Sequence, residues 1–183
     1  ATPLCMSREE QAVAEQDASI DLKVLRDAGT GMRSWDYFRR LGRVIVTYEC
    51  LVNELDRLDL AEKLAEANLL LKDFAIGLAG KGCQCLVDFE QCDPEEKTSS
   101  TSKRKRLDCI VGAHHHLVQA IVAFERLVFC SGQADCASLL ALSFWGLVKT
   151  LWHDEILREE IPLHAERAAM LEPLADEEGQ DRF

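Results

Sequence analysis

Residues 35–55 read WDYFRRLGRVIVTYECLVNEL. Their large apolar side chains recur at every third or fourth position: Trp35, Phe38, Leu41, Ile45, Tyr48, Val52 and Leu55. This spacing places them on one face of an α-helix, because 3.6 residues complete a helical turn. The stretch therefore predicts an amphipathic helix with one buried face.

The same helical spacing continues along most of the chain, and the alternation by two that is typical of strands is almost absent. Two short helices are predicted over residues 7–16 and 19–28. A later helix is expected to end at Gly80 and Gly82, since glycine is common just past helix ends. The sequence thus predicts an all-α fold of antiparallel helical hairpins packed as a stack or bundle. It shows no internal repeat at the level of residues.

The chain has 183 residues, enough for one hydrophobic core, and we predict a single all-helical domain over residues 1–183. Residues 92–106 contain no apolar side chain after Cys92 and are rich in serine, threonine, lysine and arginine. This composition predicts a mobile surface loop. The tail from about residue 176 is expected to fray.

The net charge of −11 predicts repulsion from nucleic acid and from anionic lipid, and favours a basic, lysine-rich protein partner. The longest apolar runs are interrupted by His114–His116, by Glu125 and Arg126, or by Lys149. None reaches the roughly 18 uninterrupted residues that cross a bilayer, so we predict no membrane insertion.

The number of cysteines, eight, does not decide between a reducing and an oxidising cellular compartment. Four of them lie near the predicted loop: Cys83, Cys85, Cys92 and Cys109. They are compatible with a zinc site, with a disulfide or with unlinked thiols, and the paired Cys-x-x-Cys spacing of strong zinc signatures is missing. We predict no metal ion and no cofactor, reduced thiols and a cytoplasmic location, with a secreted, disulfide-linked protein as the alternative.

The sequence lacks the glycine-rich nucleotide-binding motifs and the Gly-x-Ser-x-Gly motif of hydrolases. It therefore favours a function other than catalysis. The basic run Lys103-Arg104-Lys105-Arg106 follows five serine and threonine residues. Such a run is compatible with a nuclear-import signal, with phosphate contacts or with a solvated loop.

Residues 147–161 read LVKTLWHDEILREEI, an apolar helix end followed by an acidic segment. In this segment four carboxylates surround three apolar residues; they are Asp154, Glu155, Glu159 and Glu160. We predict a short helix that Pro162 ends, and a last helix from about Leu163 to Ala175. The four carboxylates either form a solvated acidic face or bind a lysine-rich segment.

Residues 114–161 resemble a HEAT-like domain, named for its two tryptophans, at the C-terminus of several translation initiation factors. That family includes initiation factor five, the epsilon subunit of the exchange factor for initiation factor two, and the scaffold factor of the cap-binding complex. The resemblance is carried by HLVQAIVAFE at 116–125 and by residues 151–160. It implies a first acidic box at Asp154, Glu155, Glu159 and Glu160, and a second at Glu177 and Glu178. Their implied role is to complement lysine blocks on a partner such as initiation factor two.

Two functions follow from these observations. The first is a protein interaction domain whose acidic C-terminal surface binds a basic partner, similar to the initiation-factor domains. The alternative is a secreted or pathogen-derived helical bundle, linked by disulfides, that binds a host protein. The even number of cysteines motivates the alternative.

Overall fold

The computed structural model describes residues 6–28, 34–91 and 100–153. Within those ranges the chain forms five α-helices and no β-strand. The helices are α1 (Arg8–Ala28), α2 (Ser34–Glu49), α3 (Ala61–Gln91), α4 (Ser100–Glu125) and α5 (Ala137–His153). The all-α fold predicted from the sequence is confirmed.

Contacts within the chain divide it into two compact units, Ala1–Leu71 and Lys72–Phe183. The first unit contains α1, α2 and the beginning of α3, and the second contains the remainder of α3 together with α4 and α5. Helix α3 passes through the boundary without a break. The single domain that we predicted over residues 1–183 stays a prediction.

Helix α1 is continuous, so the prediction of two short helices over 7–16 and 19–28 is wrong. Its start is a capping box, in which the Glu10 N–H donates to Ser7 Oγ and the Ser7 N–H donates to the Glu10 carboxylate. Its buried residues, Ala18, Leu22 and Leu25, lie on one face. Because this face packs against α2, tertiary contact joins two segments that looked separate in the sequence.

Helix α3 continues past Gly80 and Gly82 to Gln91, so the helix end predicted there is wrong. Gly80 is exposed, and no atom lies within 4 Å of the position that a Cβ would take. At Gly82, by contrast, a Cβ would lie only 2.6 Å from Cγ of Leu117 in α4. Gly82 therefore allows two helices of the second unit to approach closely, and it does not end a helix.

The loop predicted over residues 92–106 is shorter on its C-terminal side. Helix α4 begins at Ser100, so residues 100–106 form its first turns, and residues 92–99 lie outside the described residues. Lysine and arginine are good helix formers, and they extend the helix into the polar run. The tail from residue 176 also lies outside the described residues.

The structure contains a repeated turn that the sequence did not reveal. Both α2 and α4 widen into a π-helical last turn, Cys50–Glu54 and Arg126–Cys130, and each is followed by a residue in the left-handed conformation. That residue is Asp56, with a φ of 56°, in the first unit and Gly132, with a φ of 66°, in the second. A single turn of 3₁₀-helix then leads into the next α-helix.

Equivalent positions in the two turns are 76 residues apart, as are Asp56 and Gly132. The same three backbone hydrogen bonds close each turn, with lengths that agree within 0.1 Å. In the first turn they run from Leu55 N–H to Cys50 O (3.2 Å), from Arg57 N–H to Leu51 O (2.9 Å) and from Leu60 N–H to Arg57 O (3.0 Å). In the second turn they run, in the same order, from Ser131 N–H to Arg126 O (3.1 Å), from Gln133 N–H to Leu127 O (2.9 Å) and from Cys136 N–H to Gln133 O (3.0 Å). The second bond spans six residues, one more than in the usual left-handed helix end, because the π-turn adds a residue.

The same offset of 76 relates the buried side chains of the two hairpins. The buried pairs are Leu41 and Leu117, Ile45 and Ile121, Tyr48 and Phe124, Leu51 and Leu127, and Leu71 and Leu147. Each hairpin therefore buries the same helical faces around the same turn. We conclude that the two units are built on one repeated helical hairpin.

Replacing Gly132 by alanine is expected to lower the free energy of unfolding by about 1–2 kcal/mol, because a side chain is strained in the left-handed conformation. Gly77→Ala is the matched control. It lies in the exposed part of α3 with no atom within 4 Å of its Cβ position, and should raise stability by about 0.5–1 kcal/mol. Urea denaturation measures both variants. Equal stabilisation by the two alanines would contradict the repeated turn.

Candidate functional site

The six residues that we predicted to bind a partner lie outside the described residues. They are Asp154, Glu155, Glu159, Glu160, Glu177 and Glu178. The described chain reaches this acidic segment directly, because α5 ends at His153, one residue before Asp154. The structure therefore describes the surface from which the segment begins.

The negative charge of the chain is concentrated in that segment. Residues 154–183 contain ten acidic and three basic residues, and so account for 7 of the 11 net negative charges. The other 153 residues contain 22 acidic and 18 basic residues, a net charge of only −4. Per residue, the C-terminal segment therefore has much more net negative charge than the rest of the chain.

Many carboxylates of the described residues are occupied by the protein's own cations. Arg57 pairs with Glu15 and Asp59, Lys72 pairs with Asp135, and Lys149 pairs with Glu90. Hydrogen bonds from Lys72 and Lys149 lower the pKa of Asp135 and of Glu90, and the bond from Arg57 lowers the pKa of Asp59. These pairs reduce the charge that the described surface offers to a partner.

An apolar groove of about 590 Å³ lies between α3 and α5 in the second unit. We call it the α3/α5 groove. Its apolar walls include Cys83, Leu86 and Val87 from α3, and Leu142, Trp145 and Trp152 from α5. Helical spacing of three or four places each set on one face of its helix. The groove exists only because α3 continues beyond Gly82.

The rim of the α3/α5 groove carries one carboxylate and one ammonium group. Lys149 Nζ of α5 lies 2.6 Å from Glu90 Oε1 of α3 and joins the two helices there. Trp152 is 65% exposed and Val87 is 41% exposed. Large apolar side chains beside an ion pair make this groove suited to an amphipathic segment rather than to a polar ligand.

Beside the groove, aromatic and basic side chains tie the end of α5 to α3 and α4. The His153 ring lies 4.8 Å from the Phe89 ring, and the Arg106 guanidinium lies 4.6 Å above the same ring. Burial lowers the pKa of His153, although Glu90 opposes this shift. Arg106, the last residue of the basic run, therefore has a structural contact in this protein.

A second apolar surface runs along α4. Leu107 and Val111 are each 57% exposed and Val122 is 47% exposed, and the three lie on one helical face. Val46, the counterpart of Val122 in the first unit, is 54% exposed. Exposed apolar faces of this kind are typical of surfaces that contact other proteins.

Cysteine and histidine residues do not form a metal site within ranges 6–28, 34–91 and 100–153, where no group of three or more possible ligands occurs. The structure shows six cysteines of these ranges as thiols: Cys50, Cys83, Cys85, Cys109, Cys130 and Cys136. Burial raises the pKa of the Cys83 thiol in the α3/α5 groove. A raised pKa lowers the fraction of the reactive thiolate at Cys83.

We expect alkylation of the denatured, unreduced protein to label at least the six cysteines shown as thiols. The adducts are counted by intact mass. The same protein, reduced before alkylation, is the control and should take up eight labels. Fewer than six labels without reductant would contradict the structure and support the secreted, disulfide-linked alternative.

Two helical segments of the described chain, Arg104–Cys130 and Ala134–His153, are long and apolar enough to cross a membrane by length and composition. About 39% and 50% of their most apolar stretches are buried inside the protein. Core helices of soluble proteins share these properties, so the finding is weak evidence for a membrane span. The absence of a membrane partner stays a prediction.

No protein-family model, curated protein or solved structure matches the chain. The resemblance of residues 114–161 to the initiation-factor domains therefore stays a hypothesis.

Proposed function

We propose that this protein is a helical interaction domain whose acidic C-terminal segment, residues 154–183, binds a lysine-rich protein segment. The observation that carries the proposal is the location of the charge, since these residues account for 7 of the 11 net negative charges. The resemblance to the initiation-factor domains implies the same use of acidic residues. Within the segment, Asp154, Glu155, Glu159 and Glu160 form one acidic group, and Glu177 and Glu178 form another.

The arrangement of the described carboxylates supports this proposal. Glu90, Asp135 and Asp59 each pair with a cation of the same chain. A lysine-rich partner that approached these sites would have to displace an existing ion pair, which removes most of the gain. The C-terminal segment carries far fewer cations than carboxylates, so it offers charges that the segment cannot neutralise itself.

The double variant Glu159→Lys with Glu160→Lys reverses two charges of the segment. It is expected to bind a polylysine peptide about tenfold more weakly at low salt. Binding of the unmodified chain should itself weaken steeply as salt rises to the physiological range. Fluorescence anisotropy of a labelled peptide measures both effects on the full chain.

The matched control is Asp17→Lys with Asp73→Lys, which makes the same change in net charge at two exposed helical positions of the described chain. This control should retain affinity within about threefold. Equal losses in the two double variants would show that only net charge matters, and would contradict a site in the C-terminal segment. Binding that does not respond to salt would also contradict it.

A further inference from the structure

The outward face of α4 carries a row of apolar side chains that the described chain leaves exposed. Leu107 and Val111 are each 57% exposed and Val122 is 47% exposed, while Val118, between the last two, is partly buried. At about 100° per residue the four lie within an arc of about 60° on one side of the helix. Covering this row removes apolar surface from water and is favourable.

Charged residues lie at the two ends of the row. Arg104 precedes Leu107 by three residues, and Glu125 follows Val122 by three residues. Helical spacing places both on the same side of α4 as the apolar row. In the part of the chain that the structure describes, neither side chain forms an ion pair or a hydrogen bond. The face therefore presents one unpaired guanidinium and one unpaired carboxylate at opposite ends.

The spacing of these six residues is the same in both directions along the helix. From Arg104 to Glu125 the intervals are three, four, seven, four and three residues. When two such helices pack side by side in opposite directions, position 104 of one lies beside 125 of the other, 107 beside 122, and 111 beside 118. Each apolar side chain then meets an apolar one, and each charge meets its opposite. A two-fold symmetric contact requires this kind of self-complementary surface.

The equivalent face of α2, in the first unit, lacks this property. Gly42 and Arg39 occupy the positions that correspond to Val118 and His115. Near the centre of an antiparallel pair, the exposed Arg39 would face its own copy, which is repulsive. In α4, His115 Nε2 lies 3.2 Å from Gln119 Nε2 of the same helix. Of the two equivalent faces, only that of α4 is self-complementary.

We propose that two copies of this chain form a two-fold symmetric dimer through α4, with the two helices antiparallel and Val111 of each copy beside Val118 of the other. Arg104 of each copy pairs with Glu125 of the other at both ends of the contact. The dimer goes beyond the proposed function, because it forms whether or not the acidic segment binds a partner. Two acidic C-terminal segments then belong to one particle, which raises the affinity for a long lysine-rich partner.

The contact uses one helix from each copy. Residues 104–125 extend over about 32 Å. Two helices in contact over this length bury less surface than the interfaces of permanent dimers. We therefore expect a reversible dimer with a dissociation constant on the order of 10 µM. Well below that concentration the chain is monomeric, and substitutions in α4 then affect only the stability of the monomer.

Sedimentation velocity of the full chain between about 1 and 100 µM tests the dimer directly. The mass should rise with concentration from 20.5 kDa towards twice that value. Val111→Asp with Val122→Asp should raise the dissociation constant at least about tenfold, because it places carboxylates in the apolar row. The matched control, Trp35→Asp with Val46→Asp, makes the same change at the equivalent exposed positions of α2 and should stay within about twofold. Circular dichroism verifies that both variants fold.

Exchanging the charges tests the register and does not depend on the aspartate variants. Arg104→Glu alone should raise the dissociation constant about fivefold, because two like-charged pairs replace two ion pairs. Adding Glu125→Arg to the same chain restores opposite charges across the contact, and should return the constant to within about twofold of the unmodified value.

A chain that stays monomeric at about 100 µM, equal weakening by the two aspartate variants, or no recovery in the charge-exchanged chain would each overturn the proposal. A monomer that floats with vesicles of phosphatidylcholine, and loses this property in Val111→Asp with Val122→Asp, would overturn it in favour of a lipid surface.

Discussion

Replacing Leu117 by alanine is expected to lower the free energy of unfolding by about 3–5 kcal/mol, the largest effect of any substitution considered. Leu117 is fully buried in α4, and glycines face it from both neighbouring helices of the second unit. A Cβ at Gly82 would lie 2.6 Å from its Cγ, and a Cβ at Gly146 would lie 3.3 Å from both its methyl carbons. Because glycine has no side chain that can move into the space, the cavity left by alanine stays open.

Urea denaturation followed by circular dichroism measures this loss. Leu107→Ala is the matched control, since Leu107 lies in the same helix but is 57% exposed, and it should change stability by less than about 0.5 kcal/mol. Similar losses in both variants would show that Leu117 does not fill the space between α3 and α5.

Replacing Gly82 by alanine is expected to lower the free energy of unfolding by about 1–3 kcal/mol, because the new methyl group overlaps the Leu117 side chain near its base. Gly80→Ala, two residues earlier in the same helix, should instead raise it by about 0.5–1 kcal/mol, since an exposed helical glycine is replaced by the best helix former. The two alanines therefore have effects of opposite sign. Gly146→Ala should be milder than Gly82→Ala, because 3.3 Å to flexible methyl groups requires only a small shift.

The double variant Gly82→Ala with Leu117→Ala tests whether the stability loss in Gly82→Ala comes from overlap of the new methyl group with the Leu117 side chain. Removing the leucine side chain makes room for the new methyl group, so the two losses should fall short of additivity by about 1–3 kcal/mol. Strict additivity, or stabilisation by both Gly80→Ala and Gly82→Ala, would contradict the close approach of α3 and α4.

The helical periodicity that residues 35–55 share with most of the chain was sufficient to predict the fold class, because each buried stripe identifies a helix and the face with which it packs. Leu41, Ile45 and Tyr48 are all fully buried, as that pattern indicates, whereas Trp35, which the pattern also placed on the buried face, is 60% exposed at the start of α2. The repeat was missed because the residues shared by the two hairpins are mostly the leucine, isoleucine and valine that any amphipathic helix contains. Asp56 and Gly132 both have a left-handed φ but are different residue types, so the shared turn is visible only in the backbone.

The candidate site, like the fold, was only partly predictable from the sequence. The sequence was enough to propose a site of six carboxylates, because the location of charge along the chain depends on composition alone; they are Asp154, Glu155, Glu159, Glu160, Glu177 and Glu178. The α3/α5 groove was not predicted, since the glycines at 80 and 82 suggested that α3 would end before Val87 and Glu90. Whether a glycine ends a helix or admits a neighbouring one depends on what lies opposite it, and local propensity contains no information about that.

The amino-acid sequence by itself determined the all-α class, the faces that the helices bury and the position of the excess negative charge. These follow from the spacing and type of residues along a single chain. Only the tertiary structure decided the length of α3, the repeated hairpin and the groove beside Trp152. The length of α3 and the groove depend on contacts between residues far apart in the sequence, such as Gly82 with Leu117 and Glu90 with Lys149, and packing at those contacts outweighs local preference. The repeated turn is closed by local backbone hydrogen bonds, which form with different side chains at equivalent positions.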